Sequence, residues 1–379
     1  MKKILIMYAS YGTGHKKIAE YIETHFKKHG DFEIQTIDIL NFSAPFFGKF
    51  SQKTYEKINF STPKLWDLIY NISNRKIKLS STSIGKFLLF KGKELEKKII
   101  QYNPDLVITT HYFCSSIISD YKKSGKLNSG LITIVTDYKT HEFWLENIKY
   151  EDYIIIGNSQ EKKELIKKGY DKKKIKDSGI PISDTFNSDN YDRKKTIKTY
   201  NLNPDKKTLL FFCSRGRITS SYVNELVKNQ LDYNIIIVTG NNLKLKSKLE
   251  AEKKQYDVSN VKILGYVNNI PELLNIADLI VTKPGGATGT ESLYFNVPML
   301  FIGKHSGQEK GNAKFLERQK CAISSSSPFE MLEKINILFN DEKKLEKLKK
   351  NTKKVNKKDA MIKLFEIASE VMEDVKWKR

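Results

Sequence analysis

LIVTKPGGATGTESLYFNVPMLFIGKHSGQEKGNA, residues 279–313, reads as a strand, a small-residue loop, a helix, a second strand and a second glycine-bearing loop. Its two apolar runs, 279–282 and 299–302, do not alternate with polar residues, which is the pattern of strands covered on both faces. Gly285, Gly286, Ala287 and Thr288 lie between the first strand and a helix that contains Glu291. Small residues there bring backbone amides and the positive end of a helix dipole up to an anion, a geometry that suits a diphosphate. Glu291 adds a carboxylate on the same helix, able to accept hydrogen bonds from the two hydroxyls of a ribose. Gln308 and Glu309 follow the second strand beyond further glycines and suit the hydroxyls of a sugar.

The same alternation of short Ile-, Val- and Leu-rich runs with longer amphipathic stretches extends outward in both directions. Runs at 3–9, 33–39, 105–109, 131–136, 153–157, 208–213, 233–239 and 261–264 join the two above as predicted strands. This is the α/β class, parallel sheets with helices on both faces. A chain of 379 residues predicts two domains. Polar residues 183–196, SDTFNSDNYDRKKT, separate two series of strands between Pro181 and Pro204. Two such domains in tandem predict a ligand cleft between them, outside the carboxyl ends of their strands.

Two further motifs stand directly after predicted strands. In YASYGTGHKKIAEYI, residues 8–22, Gly12 and Gly14 permit a tight turn before an amphipathic helix, whose free N–H groups can hold an anion. The run is neither a P-loop nor a GxGxxG fingerprint, because His15 and Lys16 follow the second glycine. His15 at the loop's mouth suits proton transfer or phosphate contact. IVTDYKTHEFW, residues 134–144, gathers Asp137, His141 and Trp144 at a strand's carboxyl end. Asp137 there can accept a proton from an acceptor hydroxyl, orient a nearby histidine, or simply cap a helix.

Composition narrows the partners. Lys plus Arg exceed Asp plus Glu by 66 − 44 = 22, a charge that attracts nucleic acid, anionic membrane or nucleotide phosphates. No nucleic-acid module is recognisable and the basic residues are dispersed, so no nucleic-acid partner is expected. Residues 42–98 break the βα rhythm: ten aromatics mix with twelve Lys/Arg against four acidic residues. That mixture suits a helix seated on an anionic membrane surface, or a helical subdomain packing its rings inward. Cys114, Cys213 and Cys321 stand far apart with no CxxC pair, as buried thiols of a reducing cytosol do. The start, MKKILIMYAS, has too short an apolar run for a signal peptide, and nowhere do about 18 apolar residues run consecutively to span a bilayer.

These motifs together resemble glycosyltransferase family 28, over nearly the whole chain. Within it they are most similar to the bacterial processive diacylglycerol glucosyltransferases and the plant-type monogalactosyldiacylglycerol synthases. GTGHKKIAEYI resembles the family's N-terminal glycine-rich loop, VTDYKTHEFW its acceptor-side segment, and TKPGGATGTES with GQEKGNA its donor-nucleotide signature. The resemblance implies a GT-B fold, two Rossmann-like domains whose parallel sheets face across a cleft. It implies an N-terminal acceptor and membrane domain over 1–190, a UDP-sugar domain over 191–360 and a C-terminal helix, 361–379, packing back on the first domain. It also implies an inverting transferase that uses a UDP-sugar co-substrate and no cofactor or active-site metal.

Carried over by residue, Gly285, Gly286 and Thr288 would cradle the diphosphate, Glu291 the ribose, and Gln308, Glu309 and Asn312 the sugar end. Val267 would border the uracil. Gly12, Gly14, His141 and Trp144 would line the acceptor, and His15 or Asp137 would activate it. Plant-type members carry an Asp where Ser10 stands, so that carboxylate is absent here. The donor-domain loop in FFCSRGRITSS, residues 211–221, keeps only Gly216 where relatives have several glycines; Arg215 and Arg217 either pair phosphates directly or mark a loop without a phosphate role. The expected reaction moves glucose or galactose from a UDP-sugar to 1,2-diacylglycerol, processively or once, on the cytoplasmic face of the membrane as a peripheral protein. The alternatives are N-acetylglucosamine transfer to a polyprenyl-diphosphate sugar, and a non-catalytic sensor of UDP-sugar or membrane.

Overall fold

The computed structural model describes residues 1–10, 13–42, 92–186, 189, 191–213, 217–229, 231–303, 305 and 307–377. The chain divides into two units by contact, the first comprising Met1–Asp184, Ser306–Gly311 and Lys357–Arg379, the second Thr185–His305 and Asn312–Asn356. Among the described residues no helix is long and apolar enough to cross a membrane. Of the basic aromatic stretch, residues 43–91 lie outside the described residues; Phe42 ends a short 3-10 turn, Ile39–Phe42, packed against the first unit's core, and residues 92–98 begin a helix.

In the first unit, β1 (Lys2–Tyr8) carries Ile4, Leu5, Ile6 and Met7 fully buried, so both faces of the strand are covered. It leads into α1 (Gly14–His29), which buries Ile18, Ala19, Ile22 and Phe26, the helical spacing of one apolar stripe. There follow β2 (Phe32–Asp38), α2 (Gly92–Tyr102), β3 (Leu106–Thr109), α3 (Tyr112–Lys123) and β4 (Gly130–Ile134). β5 (Tyr153–Ile155), α4 (Ser159–Lys167) and β6 (Ile175–Lys176) complete the run. The six strands form one parallel sheet in the order β2-β1-β3-β4-β5-β6. Every residue of β3 and β4 is buried.

The second unit opens with α5 (Arg193–Thr199), capped by Asp192, whose carboxylate accepts from the Lys194 and Lys195 N–H groups. β7 (Thr208–Phe212), α6 (Arg217–Lys228), β8 (Asn234–Val238), α7 (Leu243–Gln255), β9 (Val261–Leu264) and α8 (Ile270–Ile276) follow. β10 (Leu279–Thr282), α9 (Gly286–Tyr294), β11 (Met299–Ile302), α10 (Gly307–Arg318) and β12 (Ala322–Ser325) come next. Its parallel sheet has the order β12-β11-β10-β7-β8-β9, the doubly wound order of a dinucleotide-binding domain. α11 (Pro328–Asn340) and α12 (Glu342–Val355) close the unit, contributing Met331, Ile335 and Leu345 to a core shared with β7, β8 and β10.

The chain then returns to the first unit as α13 (Ala360–Trp377). Its buried Ala360, Met361, Leu364, Ala368, Val371 and Met372 form one apolar stripe, and Phe365 meets Phe26 of α1 at 5.0 Å between ring centroids. Gly130 of β4 leaves room for that helix: a Cβ there would fall 2.3 Å from Val371 Cγ1. Gly130→Ala is therefore expected to destabilise the protein by about 1–3 kcal/mol through overpacking, read as a lower midpoint in chemical denaturation with an unchanged m-value.

Candidate active site

In the first sheet the chain winds from β1 outward to β2 on one side and from β3 outward to β6 on the other. The loops after β1 and β3 therefore diverge, and the carboxyl ends of these two strands frame the crevice in which open α/β sheets bind ligands. His15 stands there, in the first turn of α1, whose N-cap Thr13 makes no side-chain hydrogen bond. Its ring is fixed by the ends of two neighbouring strands. Nδ1 lies 2.6 Å from the Thr110 carbonyl beyond β3, and Thr136 Oγ1, beyond β4, lies 3.0 Å from the same nitrogen. The Thr110 hydroxyl donates in turn to the His15 carbonyl at 3.0 Å.

A carbonyl only accepts, so Nδ1 carries the proton and donates it to Thr110, which leaves the Nε2 lone pair as the basic position. Burial of the ring lowers the His15 pKa to about 4, against the partial compensation of the Thr110 hydrogen bond. The imidazole is neutral throughout the physiological range. His111 completes the corner. Its ring meets His15 edge-on at 4.6 Å, and its Nδ1 accepts from the Phe113 N–H at 3.2 Å, capping α3. Burial, and then the neighbouring His15, hold its pKa well below the ordinary histidine value. Trp144 is buried beside both, with ring centroids 6.4 Å from His15 and 6.3 Å from His111.

Asp137 sits in the bend after β4, half-buried, next in sequence to the Thr136 that touches His15. No α-helix begins there. His141 is instead the cap of a short 3-10 turn, Glu142–Trp144, its Nδ1 accepting from the Phe143 N–H. Gly14 opens α1, while Gly12 lies outside the described residues. Asp38, at the end of β2, accepts from the Ser10 N–H at 3.3 Å and so shapes the loop in which Ser10 stands. Thr110, His111, Thr136 and Asp38 were not singled out from the sequence. His111 had a signal, since it follows an apolar strand much as His15 does; the threonines had none, because their role depends on neighbouring strands far apart in the chain.

The second sheet has its own switch point between β7 and β10. The loop after β10 holds the glycines. Gly285 caps α9 without a side-chain hydrogen bond, its φ of −80° and ψ of 143° extended, so the N–H groups of the first turn point out of the helix end. Glu291 lies on the second turn and is 9% exposed. Asn312, 1% exposed on α10, donates from Nδ2 to the Pro284 carbonyl at 3.0 Å and so holds the glycine loop by its backbone. Val267 is half-buried in the turn after β9. Gly216 lies outside the described residues, and Arg217 is the first residue of α6.

Two glycines of left-handed backbone, Gly303 at φ 82° and Gly307 at φ 51°, bracket the loop between β11 and α10, where other residues would be strained. Within it His305 has both ring nitrogens buried with no hydrogen-bond partner among the described residues, and burial, with the charge of Lys283, lowers its pKa to about 4. Gln308 and Glu309 belong by contact to the first unit, where Gly311 passes so close to Lys139 that a Cβ on Gly311 would fall 2.7 Å from the lysine Cβ. The Gln308–Glu309 run thereby stands in the same unit as the segment that carries Asp137.

Residues 15–182 match the family model described as monogalactosyldiacylglycerol (MGDG) synthase, and residues 217–364 that of the glycosyltransferase family 28 C-terminal domain. A processive diacylglycerol beta-glucosyltransferase of Bacillus pumilus is 32% identical, over 94% of this chain and 92% of its own. One of Bacillus licheniformis is 30% identical over 94% and 91%. The chain belongs to glycosyltransferase family 28. Solved structures agree on the fold at low identity. Acinetobacter baumannii MurG, 12% identical, superposes with a TM-score of 0.64 over 98% of this chain and all of its own. Anabaena HepE in complex with UDP-glucose, 14% identical, does so with a TM-score of 0.54 over 99% and 100%. This family 28 chain thus has the GT-B fold, two Rossmann-like units with two six-stranded parallel sheets.

The glycine loop of this family 28 glycosyltransferase makes one direct prediction. A Cβ built on Gly285 meets no atom of the described residues within 4 Å, so Gly285→Ala should leave thermal stability within about 0.5 kcal/mol of the parent. If this loop holds a diphosphate, the phosphate would meet that methyl group, and UDP affinity measured by calorimetry should fall at least about tenfold, or 1.4 kcal/mol.

Proposed function

We propose that the protein transfers glucose or galactose from a UDP-sugar to 1,2-diacylglycerol, with inversion at the anomeric carbon, at the inner membrane surface and without an active-site metal. The observation that carries this reading is the joint one of relatives with that acceptor at 30–32% identity over more than nine-tenths of the chain, and a neutral histidine whose unprotonated nitrogen is Nε2 at the first unit's switch point.

The diphosphate lies on the N–H groups at the start of α9, the ribose hydroxyls on Glu291, and the hexose hydroxyls on Gln308 and Glu309. His15 takes the proton of the diacylglycerol hydroxyl on Nε2 as that oxygen bonds to the anomeric carbon. The bond to the UDP oxygen breaks with its electron pair remaining on the nucleotide. The helix dipole and amides of α9 stabilise the charge that grows there. Asp137 supplies the negative charge that opposes the new imidazolium. The surplus of 22 positive charges supports seating on anionic lipid.

The test is incubation of the pure protein with radiolabelled UDP-glucose or UDP-galactose and vesicles of diacylglycerol in anionic phospholipid, with chelator in excess. The expected result is a labelled glycolipid with one of the two donors, its formation insensitive to chelator. Absence of label in lipid with both donors would refute the reading.

A further inference from the structure

α1 ends in a side-chain cluster that the transfer chemistry does not use. His25 and His29 lie four residues apart, hence on one face of the helix, with ring centroids 4.4 Å apart. Asp184, the last residue of the first unit's opening stretch, reaches that face from beyond β6. Its carboxylate oxygens lie 2.8 and 3.0 Å from His25 Nδ1, and one of them lies 3.6 Å from His29 Nε2. One ligand atom from each of the three residues falls within 4.8 Å of the others, the sole such group among the described residues. His25 is buried, its ring edge-on to Phe365 of α13 at 5.7 Å, whereas His29 and Asp184 are open to solvent.

We infer that His25, His29 and Asp184 form a binding site for a divalent transition metal of the zinc class. Two imidazoles and a carboxylate are the donor set that such ions prefer, with water in the remaining tetrahedral position on the exposed side. Bonds of about 2.0–2.2 Å place tetrahedral ligand atoms about 3.3 Å apart, and the three ligand atoms here lie within 4.8 Å of one another. Of the two lysines between the histidines, Lys27 and Lys28, Lys27 is engaged by Glu23 at 2.6 Å. At 1.5 Å per residue the two histidines of the site stand about 15 and 21 Å along α1 from His15, too far to take part in the reaction there. Its effect is to pin the C-terminal turn of α1 to the chain segment at which the first unit gives way to the second.

The full-length protein, free of any purification tag, would be titrated with Zn²⁺ by calorimetry and with Co²⁺ by visible absorption. One equivalent of Zn²⁺ is expected to bind and to raise the melting temperature, and Co²⁺ is expected to give the intense d–d bands of a tetrahedral site. His29→Ala and Asp184→Asn alter solvent-exposed groups and should retain the fold, and each should weaken Zn²⁺ at least tenfold. Three results would overturn the inference: no saturable binding at 100-fold molar excess of metal, affinity unchanged in both variants, or octahedral Co²⁺ spectra in the parent.

Discussion

His15→Ala is expected to lower kcat by about 10²–10⁴-fold while leaving the dissociation constant of UDP unchanged, the usual contribution of a positioned general base. The basis is the tautomer: Thr110 takes the Nδ1 proton, so the opposite nitrogen carries the lone pair. His15→Asn, which keeps a donor towards Thr110 but offers no basic nitrogen, should be as slow as the alanine variant. A merely structural histidine would be rescued by asparagine. The pH profile adds a second readout. A base works when deprotonated, and burial puts the His15 pKa at about 4, so kcat should stay level as pH falls through 6.5 and decline only towards 4. An acid limb centred near 6.5 would point to an exposed histidine instead. Asp137→Asn is expected to slow turnover too, by removing the charge that opposes the imidazolium.

Glu291→Ala is expected to act on the other half of the reaction, weakening UDP by about 10–100-fold with a smaller change in kcat. Two hydroxyl donors to one carboxylate, each worth about 1.5–3 kcal/mol when the acceptor is charged, exceed that loss even after water replaces part of it. The carboxylate is held on α9 at 9% exposure, so its position relative to the glycine loop is fixed by the helix and not by the ligand. Calorimetry with UDP and with uridine 2′,3′-dideoxy diphosphate separates the causes. If Glu291 holds the ribose, the parent should lose as much affinity for the dideoxy nucleotide as the variant loses for UDP, and the variant should bind both nucleotides alike.

The α/β alternation was plain in the sequence because buried parallel strands need unbroken apolar runs, and the ten runs read as strands correspond to β1–β5 and β7–β11. β6 and β12 were missed for physical reasons. Ile175–Lys176 is a two-residue edge strand, too short for any period, and Ala322–Ser325 ends in serines that an edge position tolerates. The glycine loop after β10 was legible because small residues between a strand and a helix have one geometric use. The His15 corner was not, since Thr110, His111 and Thr136 reach it only when β1, β3 and β4 lie side by side. Nor could sequence say that Asn312 grips the Pro284 carbonyl, because a buried amide and a ligand-facing one look alike until the backbone around them is placed.

A crystal structure with UDP bound is the decisive measurement. It is expected to show the diphosphate within hydrogen-bonding distance of the Gly286–Thr288 N–H groups and the ribose hydroxyls on the Glu291 carboxylate. Nucleotide density elsewhere on the second unit, with α9 making no phosphate contact, would contradict this placement.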